Sequence, residues 1–378
     1  MRAGTFAIVA LLAALTASCS REESSFSASA PVFHEEGFPK ALSDWNVVAR
    51  EKGRLHLASN TTPYDLATPL FSDYALKLRT ISLPDGTSAN YREGDVLDFP
   101  VGTVITKTFY YSQNSDGSVT DENAPKLTNG SLPLDNVRLM ETRVLAHRST
   151  GWVAIPYVWN ADQTDAVVKR TGDVVRLTLA RTGQEAVDFP YVVPNQNQCK
   201  GCHAPNNTTR ALSPIGPKVR HLNKASTYHA GLNQLEAMAA NGFLTASAEQ
   251  LAAAPQNAVW TNEEATVNAR ARAYLDSNCS HCHNPKGPAD TSGLDLTPSA
   301  AYGPKLGHCK APIAAGDGTG GRKFDIVPGH PDDSILVHRL ETIKPAEMMP
   351  ELGRALSHAE GVSLIREWVA SLEGEGCA

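Results

Sequence analysis

A pentapeptide of the form C-x-x-C-H occurs twice in this chain, at Cys199–His203 and at Cys279–His283. Two thiols three positions apart can add to the two vinyl groups of one porphyrin. The imidazole directly after the second thiol then sits where it can ligate the iron. Paired C-x-x-C motifs also offer four thiolates to zinc, but a zinc ribbon has no need of a His after each second cysteine, and ribbon pairs lie much closer in sequence. The doubled motif therefore predicts two covalently attached haems c. Cys199, Cys202, Cys279 and Cys282 would be their thioethers, and His203 and His283 their iron ligands.

Export is the companion expectation. Arg2 precedes an apolar run, Phe6 to Leu15, that is too short to span a bilayer, and small residues lead from it to Cys19. The pattern reads as a signal peptide over 1–18 ending at the Cys of a bacterial lipobox, although its usual Leu is displaced to Leu15 with Thr16 in its place. An ordinary signal cut after Ala17 is the alternative. Either reading sends the protein to the periplasm, and lipidation of Cys19 would anchor it at the outer membrane. Residues 19–31 are polar and Ser-rich, a flexible tether. A formal net charge of -6 on 378 residues argues against nucleic acid as a partner.

Between 32 and 193 there is no Cys, and the pattern is β. Val101–Tyr111 is dense in β-branched and aromatic residues, Val174–Ala180 alternates, and Arg138–His147 and Gly151–Trp159 flank a hairpin turn. An antiparallel, sandwich-like or partly barrelled domain is expected here. Within Thr68–Arg79, the charges of Asp73, Lys77 and Arg79 read more readily as a solvated loop than as pocket lining.

Residues 194–256 form the first haem-binding segment. A helix is expected from near Tyr228, and His221, His229, Met238, Met140 and His147 are candidates for the sixth ligand of the first iron. Residues 257–378 are expected to form a cytochrome c-like domain with the second haem. Capping boxes at Thr261–Glu264 and Ser357–Glu360 would open its two main helices. Met348-Met349-Pro350 offers a distal thioether, and Met349, fixed by the following Pro, is favoured over Met348, with His330 and His338 as fallbacks. Cys309 and Cys377, left over in an exported protein, suggest a disulfide. The fold class expected is multidomain: an N-terminal antiparallel β domain followed by mainly α haem-binding segments, the last cytochrome c-like.

The chain resembles a bacterial family of exported dihaem c-type cytochromes. The resemblance is carried by TPLFSDYALKLR, FPVGTVITKTF, ETRVLAHRSTGWVAIPYVWN, PNQNQCKGCHA, PIGPK, YLDSNCSHCHNPKGPADTSGLDL, DIVPGHPDDSILVHRL and MMPELG. It implies covalent haem and electron transfer at Cys199, Cys202, His203, Cys279, Cys282 and His283, and supplies no substrate. The function expected is a carrier of electrons between periplasmic redox proteins. The alternatives are a dihaem peroxidase-like or substrate-oxidising enzyme with an open position at the first haem, and a binding module built on the β region.

Overall fold

The structure is a computed structural model that describes residues 29–374 and 376–377. The expected signal peptide, Cys19 and most of the tether lie outside the described residues. Strands β1 (Val48–Glu51), β2 (Arg54–Leu57), β3 (Thr61–Pro63), β4 (Leu76–Ser82), β5 (Ala89–Asn90), β6 (Val104–Gln113) and β7 (Val119–Thr120) come first. They are followed by β8 (Ser131–Pro133), β9 (Val137–Arg148), β10 (Gly151–Trp159), β11 (Ala166–Val168), β12 (Asp173–Leu179), β13 (Val187–Val193) and the later β14 (Leu244–Thr245). The α-helices all follow β13: α1 (Gln196–His203), α2 (Val219–Leu222), α3 (Gln234–Ala240), α4 (Ala248–Ala252), α5 (Val267–Asn278), α6 (Ile335–Glu341) and α7 (Ala359–Ala370).

A nine-stranded sheet in the order β11-β10-β9-β6-β7-β12-β13 dominates, with β4 pairing β6 and β3 pairing β4. Its centre is built by the long strands β6 and β9, whose Val, Ile, Thr, Phe and Tyr content suits a pleated, buried surface. Cross-strand hydroxyl pairs add to it, as between Thr108 and Thr142 at 2.8 Å. The β9–β10 hairpin closes through Ser149 and Thr150, and Gly151 takes the positive φ of 108° at its exit. On one face Trp45, Leu55, Val144 and Tyr157 pack together, and the Trp45 indole donates to the Tyr157 hydroxyl at 2.7 Å.

The expectation of a β domain followed by mainly α haem-binding segments and a cytochrome c-like domain is overturned. The described chain is mostly β, with several sheets and 21% helix. After Val193 only α5 and α7 reach twelve residues, and the remaining helices run for four to eight. Pro, Gly and Asn recur too densely there for helix to propagate, so turns and short 3-10 segments carry most of the backbone. The stretch after the first motif also does not stand apart from the sheets. Its β14 pairs in parallel with β5, Leu244 opposite Ala89. Val219, Leu222, Leu235 and Met238 share one apolar cluster with Ile81, Phe99 and Ile105. Farther on, α5 and α7 cross around Leu275, Ile365, Trp368 and Val369. Among the described residues no helix is long and apolar enough to cross a membrane.

Candidate functional site

The first motif lies on α1. Asn195 caps that helix by accepting from the Gln198 N–H at 2.8 Å, and the Gln198 side chain returns to the Asn195 N–H. Positions i, i+3 and i+4 share one helical face, so the cap directs Cys199, Cys202 and His203 together into a cavity of about 150 Å³ against the sheet. His203 Nδ1–H donates to the Ser213 carbonyl at 3.0 Å, which fixes the tautomer and leaves the Nε2 lone pair free. Burial, reinforced by the Lys107 charge, pushes this imidazole down to about 4, so it is neutral, the form that binds a metal.

The second motif is built differently and reaches the same end. Cys279 caps the C-terminus of α5, and the chain turns there, the His283 N–H reaching the Cys279 carbonyl at 2.9 Å. Gly287 is required beneath it, because a Cβ would collide with the Cys282 carbonyl. The Ser292 hydroxyl donates to the Ala289 carbonyl at 2.7 Å and therefore accepts from His283 Nδ1–H at 3.1 Å. His283 Nε2 is thus also a free acceptor, and burial first, then Arg339, pushes the ring down to about 4. Cys279, Cys282 and His283 line a second cavity of about 430 Å³.

Met349 lines that second cavity, whereas Met348 is buried away from it. The Met349 N–H donates to the Arg339 carbonyl at 2.8 Å, and its carbonyl accepts from Arg354 Nε at 3.1 Å. Pro350 and Leu352, from the same loop, line both cavities. The expected fallbacks are occupied or remote: His338 bonds Glu347 at 3.2 Å, and His330 lies on the surface near Asp333.

The two motifs adjoin. Ligand atoms of Cys202, His281 and Cys282 lie within 4.8 Å of one another, and the Cys282 thiol faces the Gly201 carbonyl at 3.6 Å. The closeness of the two thiols holds Cys202 well below the usual thiol range and Cys282 well above it. His281 lines both cavities, is 7% exposed, and carries a buried Nδ1 without a partner among the described residues. It stands inside the second C-x-x-C-H, at a position to which the motif assigns no role.

Of the residues considered for the first iron, only His221 lines the first cavity, and its Nε2 is committed to Asp276 at 3.0 Å. His147 stacks on Trp152, Met140 and Met238 are core residues, and His229 bonds Ser226. The charges read as solvated loop are not so. Arg79 is buried and lines the first cavity. Asp73 is buried too, accepting from the Ala355 and Leu356 N–H groups at 2.7 Å.

The donor sets fit covalent haem. Each motif lines a cavity with two thiols and a neutral, oriented imidazole with a free Nε2, and Cys202 borders both cavities. Cys202, His281 and Cys282 alone give three ligands, one short of the four that a closed structural zinc site takes. Comparison with known proteins finds nothing: no family model, no curated protein and no solved structure matches the chain.

Proposed function

We propose that this chain is an exported c-type cytochrome that holds two covalent haems and carries electrons between redox partners. One observation carries the reading: each C-x-x-C-H lines a cavity with both thiols and an imidazole whose Nε2 is free, and the two sites touch at Cys202 and Cys282. Haem c, when bound, supplies one-electron chemistry at iron. The chain supplies everything else. Ser213 and Ser292 hold the His203 and His283 imidazoles in the tautomer that would let Nε2 ligate iron. The loop at Met349 brings a soft sulfur to the second cavity, which would favour ferrous iron and raise the potential of a haem held there. The contact of Cys202 with Cys282 makes neighbours of the two attachment points, as a pair of centres exchanging electrons requires. The motifs quoted above support membership of the exported dihaem cytochromes, and a disulfide between Cys309 and Cys377 suits an oxidising compartment. The N-terminal pattern supports the periplasm, with Cys19 as lipid anchor at the outer membrane.

A specific observation favours a second reading for the first site. No methionine lines its cavity among the described residues, and cationic side chains do. An iron without a firm sixth ligand would permit substrate oxidation or peroxide chemistry instead of electron transfer alone.

Mass spectrometry of the exported full-length protein, after acid-acetone extraction, tests the main reading. Two haem additions per chain are expected, and a pigment that washes out, or a chain that carries none, overturns it. An EPR spectrum of the oxidised protein then separates the two readings: two low-spin irons support the carrier, and one high-spin iron supports the enzyme.

A further inference from the structure

The sheet wall of the first cavity carries a feature that haem attachment does not use. Arg79 on β4, Lys107 on β6 and Arg143 on β9 are directly paired in register, Arg79 opposite Lys107 and Lys107 opposite Arg143. Three cations therefore stand in a row on one face, all lining the cavity. Like charges directly opposite destabilise a sheet, and a cation withdrawn from water without a counter-charge is costly.

The outer two have carboxylate partners. Arg143 makes a bidentate pair with the buried Glu141 at 2.6 and 2.8 Å, and Arg79 lies 3.8 Å from Asp65, which Lys224 shares at 3.3 Å. Lys107, in the middle, has no carboxylate partner among the described residues; its ammonium lies 5.2 Å from the Phe109 ring centroid. Ser72 lines the same cavity, is 4% exposed, and has a buried hydroxyl with no partner among the described residues. A row whose central lysine lacks a carboxylate partner, held down to about 7 by burial and by the flanking Arg143 and Arg79 charges, in a cavity that also holds an orphaned hydroxyl donor, has the chemistry of an incomplete anion site.

We propose that Arg79, Lys107, Arg143 and Ser72 form an anion-binding subsite for a carboxylate or small oxyanion, with Lys107 as its central contact. The anion has two possible sources of the same chemistry, a carboxylate on the edge of the covalently held group or a diffusible acid. Only the first source rests on the haem reading; the sheet geometry stands without it.

Calorimetric titration with acetate and with sulfate at low ionic strength tests the subsite, using full-length protein with and without its pigment. Binding of one anion per pigmented chain, weakened at least about tenfold in Lys107→Met and in Ser72→Ala but retained in Lys107→Arg, assigns a diffusible anion. Binding by the pigment-free chain alone, lost in the same variants, assigns a carboxylate of the bound group. Lys107→Met should also melt at a higher temperature than the anion-free wild type, since it relieves the repulsion, whereas a purely structural lysine would melt lower. If neither form binds, or the variants bind as wild type does, the subsite is refuted. A chain that takes up no haem yet binds anions refutes the haem reading and leaves the anion subsite standing.

Discussion

Met348 and Met349 are chemically identical neighbours, and their surroundings give them different work. The main chain of Met349 is held at both ends, by the Arg339 carbonyl and by Arg354, and its side chain reaches the cavity that His283 also lines. Met348 is buried elsewhere, at 7% exposure. On the haem reading, Met349→Ala should abolish the weak red charge-transfer band of a sulfur–iron bond and lower the potential of that centre, while Met348→Ala should leave both unchanged. A band that survives Met349→Ala would show that this loop does not supply the ligand. The adjacency of the thiol pairs in sequence made the two clusters of thiols and imidazole legible, since a C-x-x-C-H holds them in five positions. His281 was not legible in that way. Its importance comes from facing Cys202, which lies far from it along the chain, and no spacing rule records that.

At the scale of elements, local signals were overridden wherever a distant partner claimed the same atoms. Thr261 and Glu264 have the form of a capping box, yet α5 starts at Val267 with Thr266 as its cap, accepting from Ala269 at 3.2 Å. Ser357 and Glu360 look like a second box. Glu360 instead accepts from Tyr74 at 2.9 Å and pairs with Arg181 at 2.8 Å, and the Ser357 hydroxyl goes to the Leu340 carbonyl. The β9–β10 hairpin, whose partners are adjacent in sequence, was read correctly; the β5–β14 pairing, across most of the sheet region, left no local trace. Asp73 joins the run entering β4 to the run entering α7 by accepting from two backbone N–H groups. Burial raises its carboxyl from the ordinary 3.8 to about 6, although those N–H groups and Arg354 oppose the rise. With the folded value above the unfolded one, the native state binds the extra proton between the two. This group's contribution to stability is therefore present at low pH and is lost as pH rises through about 4 to 6. Asp73→Asn keeps an acceptor and has no proton to lose. Urea unfolding should show the stability of wild type relative to Asp73→Asn falling by on the order of 3 kcal/mol across that interval, the free-energy equivalent of the shift from 3.8 to about 6. A difference that stays flat with pH would contradict the raised value.

At the scale of the whole molecule, the two cavities are held by different means. The first lies between α1 and the sheet, so its walls share the hydrogen-bond ladder of β4, β6, β9 and β10. Asp276 on α5 ties it to the C-terminal part through Lys218 at 2.6 Å and His221 at 3.0 Å. The second is walled largely by loops, among them Pro312 to Ala315 just beyond Cys309. Cys309 is bonded to Cys377 across 68 residues, as the leftover-cysteine argument anticipated. Closing a loop of that length removes enough freedom from the unfolded chain to contribute up to about 4 kcal/mol. Because the bridge pins the loop wall of one cavity and lies away from the sheet wall of the other, its loss should be felt unequally. The double variant Cys309→Ser with Cys377→Ser should melt at a lower temperature, and limited proteolysis should cut it first between residues 309 and 315. On the haem reading, absorbance changes on melting should appear at the second site before the first. Equal loss at both sites would mean that the two cavities unfold as one unit, and an unchanged melt would mean that the loop wall is held by its packing and hydrogen bonds without the bridge.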